Sequence, residues 1–324
     1  MQHGPTGNIV MNGRFARECW RRLTDAEAGI ECLTWRQTYA ADRWKIRYAK
    51  PNGATVSQAW SCDEPKYLPG GSLEIRGAAG VTENVLLGQR IESAEANRYR
   101  RRLYFSAWVK IESPIAEDRP VLLLLGTPKD RDIFGDAFNS NIVPLTTCNL
   151  GVAAGNEWTR LECELDGREF NANGLSMELE FPASALNGPE TRIRVAGVAL
   201  SDGFSPGLPA ELPTELERLR GRRYFQRYDS RTIIFPGRSL SARECELRFQ
   251  IQFPEMRIAP ACTLVGALQV IDTAGNSADG FVFDVIDSSR CSVIIRATRE
   301  YHGLRDGCLT FAHADAALLL EAEL

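Results

Sequence analysis

The stretch YRRRLYFSAWVKIE, Tyr99 to Glu112, alternates strictly after its three arginines. Leu103, Phe105, Ala107, Val109 and Ile111 fall on one side, and Tyr104, Ser106, Trp108 and Lys110 on the other. A two-residue period with one apolar side is the pattern of a β-strand that buries a single face. Similar short runs lie on either side of it: SLEIRG (Ser72–Gly77), NVLLGQRIE (Asn84–Glu92), RPVLLLLG (Arg119–Gly126), EWTRLECEL (Glu157–Leu165), LSMELEF (Leu175–Phe181) and TRIRVAGVAL (Thr191–Leu200). Gly, Pro and Asn separate them, with hardly a long helical pattern between, so residues 1–204 are expected to form an antiparallel β-sandwich.

Residues 205–229 read differently. Pro206, Pro209 and Pro213 open a linker that turns helical, with Thr214 and Glu217 spaced as a capping box and Leu212, Leu216 and Leu219 along one side. Gly221 predicts a bend or an end nearby. Beyond it strands return in RTIIFPG, ELRFQIQF (Glu246–Phe253), CTLVGALQVID (Cys262–Asp272), GFVFDVID (Gly280–Asp287), CSVIIRATR (Cys291–Arg299) and the terminal ALLLEAEL. A smaller C-terminal β-sandwich is expected over 230–324, making the whole chain all-β apart from one short linker helix.

With 324 residues, 44% of them hydrophobic, the chain is long enough for two cores. A net charge of −4 supplies no overall positive field for nucleic acid. No basic and apolar leader opens the sequence, and no run approaches the ~18 apolar residues of a membrane span. Folding in a cytoplasm is the expectation. Nine cysteines, an odd number without a C-x-x-C pair, are expected as mostly buried, unpaired thiols.

Catalytic signatures are scarce. The three histidines, His3, His302 and His313, stand in no recognisable motif, and no catalytic residue is assigned. A glycoside hydrolase or lyase remains the enzymatic alternative, through carboxylate pairs such as Glu162/Glu164, Glu178/Glu180 or Asp284/Asp287. Asp130, Asp132, Asp136, Asn139 and Asn141 make an oxygen-rich loop without the spacing of an EF-hand, and it is expected as a plain polar loop. No metal or cofactor is assigned. Aromatics are more suggestive: Trp35, Tyr39, Trp44, Tyr48, Trp60 and Tyr67 lie among short polar residues. Sugars combine apolar C–H faces with hydroxyl rims, so flat rings beside polar side chains suit them. Trp60 and Tyr67 with Asp63 and Glu64, then Trp35 and Arg36, are the candidate carbohydrate contacts, whereas Trp108 is expected to pack beneath a covering segment.

Certain motifs resemble known families. Asn12-Gly13-x-Phe15, SLEIRG, YFSAWVK, EWTRLECEL and RIRVAGVAL resemble, in this order, the jelly-roll carbohydrate-binding modules of families four, nine and twenty-two. These modules commonly carry an acidic, calcium-binding residue near the last strand, where this chain has Gly197. NIVMNGRFARECW, YAADRWKI, ELERLRGRRYFQRYD and FPEMRIAP together resemble phage and prophage virion proteins, including fibres, tail spikes and the head spikes of gene transfer agents. The resemblance implies an N-terminal jelly roll in a virion protein, made in a bacterial cytoplasm and released by lysis. It implies attachment to a host surface or capsular polysaccharide, contact with other virion proteins, and a homo-oligomer, a trimer by analogy with fibres. A structural spike or adaptor role without sugar binding is the alternative.

Overall fold

The computed structural model describes residues 10, 15, 30–31, 38–41, 43–48, 55–59, 71–97, 102–113, 120–134, 141–151, 156–169, 173–202, 214–228, 235–239, 246–271, 277–278, 280–299, 306–311 and 316–322. Among these residues twelve strands come first: β1 (Ile30–Glu31), β2 (Thr38–Ala41), β3 (Trp44–Tyr48), β4 (Thr55–Ala59), β5 (Ser72–Arg76), β6 (Val85–Ile91), β7 (Arg102–Glu112), β8 (Leu122–Pro128), β9 (Ile142–Asn149), β10 (Thr159–Asp166), β11 (Leu175–Phe181) and β12 (Arg192–Asp202). They form two six-stranded antiparallel sheets. The front sheet has the order β1-β4-β5-β12-β7-β10 and the back sheet β2-β3-β6-β11-β8-β9. From β5 onward the chain changes sheet at almost every step, the interleaving of a jelly roll.

The alternation in the sequence accounts for the core. Leu103, Phe105, Ala107 and Val109 of β7 are fully buried, as are Leu175, Met177 and Phe181 of β11 on the facing sheet. Together with Leu73, Ile75, Leu87, Leu123 and Val195 they make one cluster between the layers. Trp44, one of the aromatics of the loop-rich N-terminal region, belongs to this core: it is 0% exposed, and its ring centroid lies 5.2 Å from that of the equally buried Phe15. Ring size and apolarity make the inter-sheet space the better place for it.

Two features of this sandwich were not foreseen. Strand β9 contains Pro144, which argues against a strand in the interior of a sheet. The structure places it on an edge, paired only with β8, with a register shift beside Pro144 that absorbs the missing N–H. Strand β12 bulges between Ala196 and Ala199, and Gly197 there has φ +57°. An acidic side chain at this position would be held in a left-handed conformation, so glycine fits the backbone of this bulge.

The second unit starts within helix α2 (Thr214–Arg222); α1 (Ser93–Ala96) is a single turn in the first unit, and the division falls between Arg218 and Leu219. Helix α2 begins at Thr214, as the capping box predicts, and stops one residue after Gly221. Its leucines differ from expectation, because Leu216 and Leu219 are exposed. Residues read as the end of the helical segment form a strand, β13 (Phe225–Tyr228), which pairs with the last strand and so joins the sheets of the second unit.

Nine further strands follow: β14 (Phe235–Ser239), β15 (Glu246–Gln252), β16 (Ala261–Val265), β17 (Leu268–Ile271), β18 (Ser277–Ala278), β19 (Val282–Ser288), β20 (Ser292–Thr298), β21 (Asp306–Phe311) and β22 (Ala317–Glu321). A three-stranded sheet β13-β22-β16 and a seven-stranded sheet β18-β17-β21-β14-β15-β20-β19 share a core of Leu247, Phe249, Ile251, Val293, Ile295, Leu318 and Leu320. This is the expected second β-sandwich. CTLVGALQVID reads as one strand but is two, in different sheets, broken at Gly266. That glycine has φ +70°, and a Cβ on it would meet Ala316 Cα at 2.7 Å. The apolar runs PVLLLL and ALLLEAEL contribute Leu123 and Leu125 of β8 and Leu318 and Leu320 of β22 to the two cores.

Among the described cysteines, Cys148, Cys163 and Cys262 are half-buried free thiols, while Cys291 is exposed, unlike the buried thiols expected. Burial pushes the Cys163 thiol well up, and the neighbouring Cys148 adds to the shift; burial alone raises Cys262. Brief alkylation at pH 8 should therefore modify Cys291 about tenfold faster than Cys163, read peptide by peptide in a mass spectrometer.

Candidate functional site

The outward side of the front sheet carries the most distinctive chemistry among the described residues. Because paired residues share a face, the registers β10–β7, β7–β12 and β12–β5 place Trp108 between Arg160 and Ala196, Lys110 beside Arg194, and Arg194 beside Glu74. Tyr104, Ser106, Trp108 and Lys110 line this side of β7, opposite the buried Leu103, Phe105, Ala107 and Val109.

Tyr104 and Trp108 are both half-buried and lie four residues apart on one face, about 13 Å along the strand. Their surroundings fix them. The Tyr104 hydroxyl donates to Glu162 Oε2, and this hydrogen bond first, then burial, raises the phenol above its ordinary pKa of 10.0. Arg160 Nε meets the other oxygen of Glu162 at 2.9 Å, and Arg102 meets Glu164 at 3.0 Å. Trp108 is thus neither sealed beneath a cover, as expected, nor fully open, and its neighbour Ala196 is too small to overlay the ring.

Further along the face the charges interlock. Glu74, only 2% exposed, accepts from Arg76 Nε at 2.5 Å and from Arg194 Nε at 2.8 Å. Arg194 also reaches Glu112 at 3.4 Å, and Lys110 Nζ lies 3.1 Å from the same carboxylate. Burial pushes the Glu74 carboxyl up, but the hydrogen bonds and charges of Arg76 and Arg194 outweigh it and hold the group below its ordinary value. Ser106 and Lys110 are also buried, so part of the face is covered.

The outward side of the back sheet is different. It presents Lys45, Leu86, Leu122, Leu124, Glu178 and Glu180 as half-buried residues, with no aromatic ring among those whose side chains are described. Its Gly88 leaves no room for a side chain, since a Cβ would meet Glu178 Cγ at 2.7 Å.

The sequence candidates Trp60, Tyr67, Asp63, Glu64, Trp35 and Arg36 lie outside the described residues, as do His3, His302, His313, Asp136 and Asn139. Of the carboxylate pairs, Glu162 and Glu164 are held by Tyr104, Arg160 and Arg102, Glu180 accepts from the Asn84 amide, and Asp284 is 2.7 Å from Arg296. In the oxygen-rich loop, the Asp132 carboxylate takes the Ser93 backbone N–H at 2.6 Å and its hydroxyl at 2.9 Å, tying down α1. No group of three or more His, Cys, Asp or Glu placed to hold a metal ion occurs among the described residues, and no described helix is long and apolar enough to cross a membrane. The signal for the front face was present in the alternation of β7, but its cross-strand partners belong to strands far away in sequence.

No protein-family profile and no curated protein matches the chain. Solved structures do. The enzymatically active domain of bacteriophage CBA120 tailspike protein 4 is 13% identical with a TM-score of 0.35, over 60% of this chain and 21% of that one. The CBM22-1 xylan-binding domain of Paenibacillus barcinonensis Xyn10C is 14% identical with a TM-score of 0.27, over 55% of this chain and 97% of that one. The family 11 carbohydrate-binding module of the Clostridium thermocellum cellulase Lic26A-Cel5E is 8% identical with a TM-score of 0.30, again over 55% and 97%. The aligned part is about a fifth of the tailspike domain. None of these likenesses fixes a function for the chain at such identities and TM-scores.

Proposed function

We propose that this chain is a binding protein that engages a polysaccharide through the outward side of its front sheet, and that this binding attaches a phage-derived particle to a bacterial surface or capsule. One observation carries the first part: Tyr104 and Trp108 stand on the same face of one strand, half-exposed, with ion-paired Arg160, Glu162, Arg102 and Glu164 around them. Flat rings held by a rigid strand offer C–H contact at little entropic cost, and the charged groups supply directed hydrogen bonds to hydroxyls. The virion role rests on the motif resemblance alone. In it, Trp60, Tyr67, Asp63, Glu64, Trp35 and Arg36 are further proposed sugar contacts, and several copies, a trimer by analogy, multiply a modest single-site affinity by about 10² to 10⁴.

A second reading has its own support. Glu74, Ser106 and Lys110 are all less than a tenth exposed although they face outward, as a face covered for structural reasons would be. Pull-down of the full chain with encapsulated and capsule-free cells separates the two readings. Wild-type protein is expected to bind only encapsulated cells and to leave the capsule uncut, and Trp108→Ala to lose at least about tenfold in apparent affinity without a loss of folded structure. Unchanged binding by Trp108→Ala and Tyr104→Ala would move the function off this face, and shortened polysaccharide would point to a depolymerase.

A further inference from the structure

Arg192 opens β12 on the same outward face, directly opposite Arg76 on one side and Glu112 on the other. Two arginines facing each other across a pair of strands repel, and a carboxylate beside them would offset that repulsion. The nearest carboxylates are already committed. Glu74 is held by Arg76 and Arg194, and Glu112 by Arg194 and Lys110. Four cations, Arg76, Arg192, Arg194 and Lys110, thus surround two carboxylates in a protein whose total charge is negative. Among the described residues the Arg192 side chain has no hydrogen-bond or ion-pair partner, although it is half-exposed, and Arg76 is 54% exposed beside it.

From this arrangement we infer that the face takes an acidic polysaccharide, with a sugar carboxylate held by the Arg192 guanidinium and assisted by Arg76, while the rings of Trp108 and Tyr104 lie under neighbouring sugars. This rests on the proposed sugar-binding role of the face and adds the charge class of the polymer. The chemistry fits. A guanidinium is a planar fork that matches a carboxylate in two parallel hydrogen bonds and stays charged at any ordinary pH. Arg192 on β12 sits in register with Glu112, four residues from Trp108 on the neighbouring β7, so the two positions are about 13 Å apart along the strand direction. That spacing spans more than one sugar unit, so an extended chain would bring its charge and its apolar faces to the two positions on separate units. The local positive excess also draws an anionic polymer toward this side of an otherwise acidic molecule.

The test is affinity electrophoresis and calorimetry of the full chain with polygalacturonate, alginate and heparosan, each compared with the same polymer after its carboxyls are reduced to alcohols. At least one acidic polymer should bind, its reduced form about tenfold more weakly, as expected on losing a charge-assisted hydrogen bond. Arg192→Ala should remove that preference, Arg192→Lys should restore part of it, and raising salt from 50 to 500 mM should weaken only the acidic forms. Thermal unfolding of Arg192→Ala should match the wild type, since this side chain has no polar partner among the described residues. Equal binding of acidic and reduced polymers that is still lost in Trp108→Ala would overturn the charge inference and leave the sugar-binding reading standing. An intact preference in Arg192→Ala would also overturn it, and failure of the wild type to bind either form would count against both.

Discussion

Trp44→Ala should lower the stability of the first sandwich by about 3–5 kcal/mol, the cost of deleting a large aromatic from a packed core. Trp44 is the largest fully buried side chain among the described residues, and Phe15 rests against it. The cavity would open between the two sheets, where Ile46, Leu87 and the other core residues are held by paired strands on both sides and have little freedom to close it. A domain has only about 5–15 kcal/mol in total, so this single change removes a large share. Urea unfolding followed by circular dichroism should show an earlier transition for the first unit and an unmoved one for the second, whose core is separate. A variant that unfolds like the wild type would mean that the ring is not part of the core.

Glu74→Ala should cost about 2–3 kcal/mol, less than the roughly 3–5 of a fully buried ion pair, because Arg194 keeps Glu112 and Arg76 reaches solvent. The same carboxylate predicts a pH dependence with a definite sign. Its folded-state pKa lies below the ordinary 4.5, so the folded protein binds this proton less readily than the unfolded chain. The stability it contributes is therefore present above about pH 4.5 and is lost as the pH falls through its folded value. Glu74→Gln should flatten the acid limb of a stability–pH curve and lower the plateau at neutral pH. A double-mutant cycle with Arg194→Ala should return a coupling of at least about 0.5 kcal/mol, and additive effects would deny the pair any energetic role.

Much of the architecture was legible because alternation is a direct record of burial. LYFSAWVKI, LSMELEF and ELRFQIQF state which side chains meet a core before any partner strand is known, and β7, β11 and β15 follow them. Where the reading failed, a local signal competed with a tertiary one. Pro144 masked β9 because a proline is excluded only from interior ladders, and nothing local marks β9 as an edge. Gly266 divides what looks like one strand because Ala316, fifty positions later, occupies the space of a Cβ. At the candidate site the limit is the same. Alternation puts Trp108 and Tyr104 on one side, yet the approach of Arg192 to Arg76, and the pairing of Glu74 with Arg194, exist only once the register of β5 and β12 is set.

That register also decides how the molecule comes into being. Arg194 and Glu74 are 120 positions apart, and β12 lies between β5 and β7 at the centre of the front sheet. On a ribosome, β5 and β7 emerge long before the strand that joins them, and they wait with apolar faces and unpaired edges exposed. Topologies dominated by such distant pairings fold slowly, on the order of milliseconds to seconds. A nascent chain stopped short of β12 has no route to a closed front sheet and offers two sticky strands to its neighbours. Slower synthesis, lower temperature or a chaperone that shields β5 and β7 should raise the yield of soluble protein, because the last strand to arrive is the one that completes the sheet.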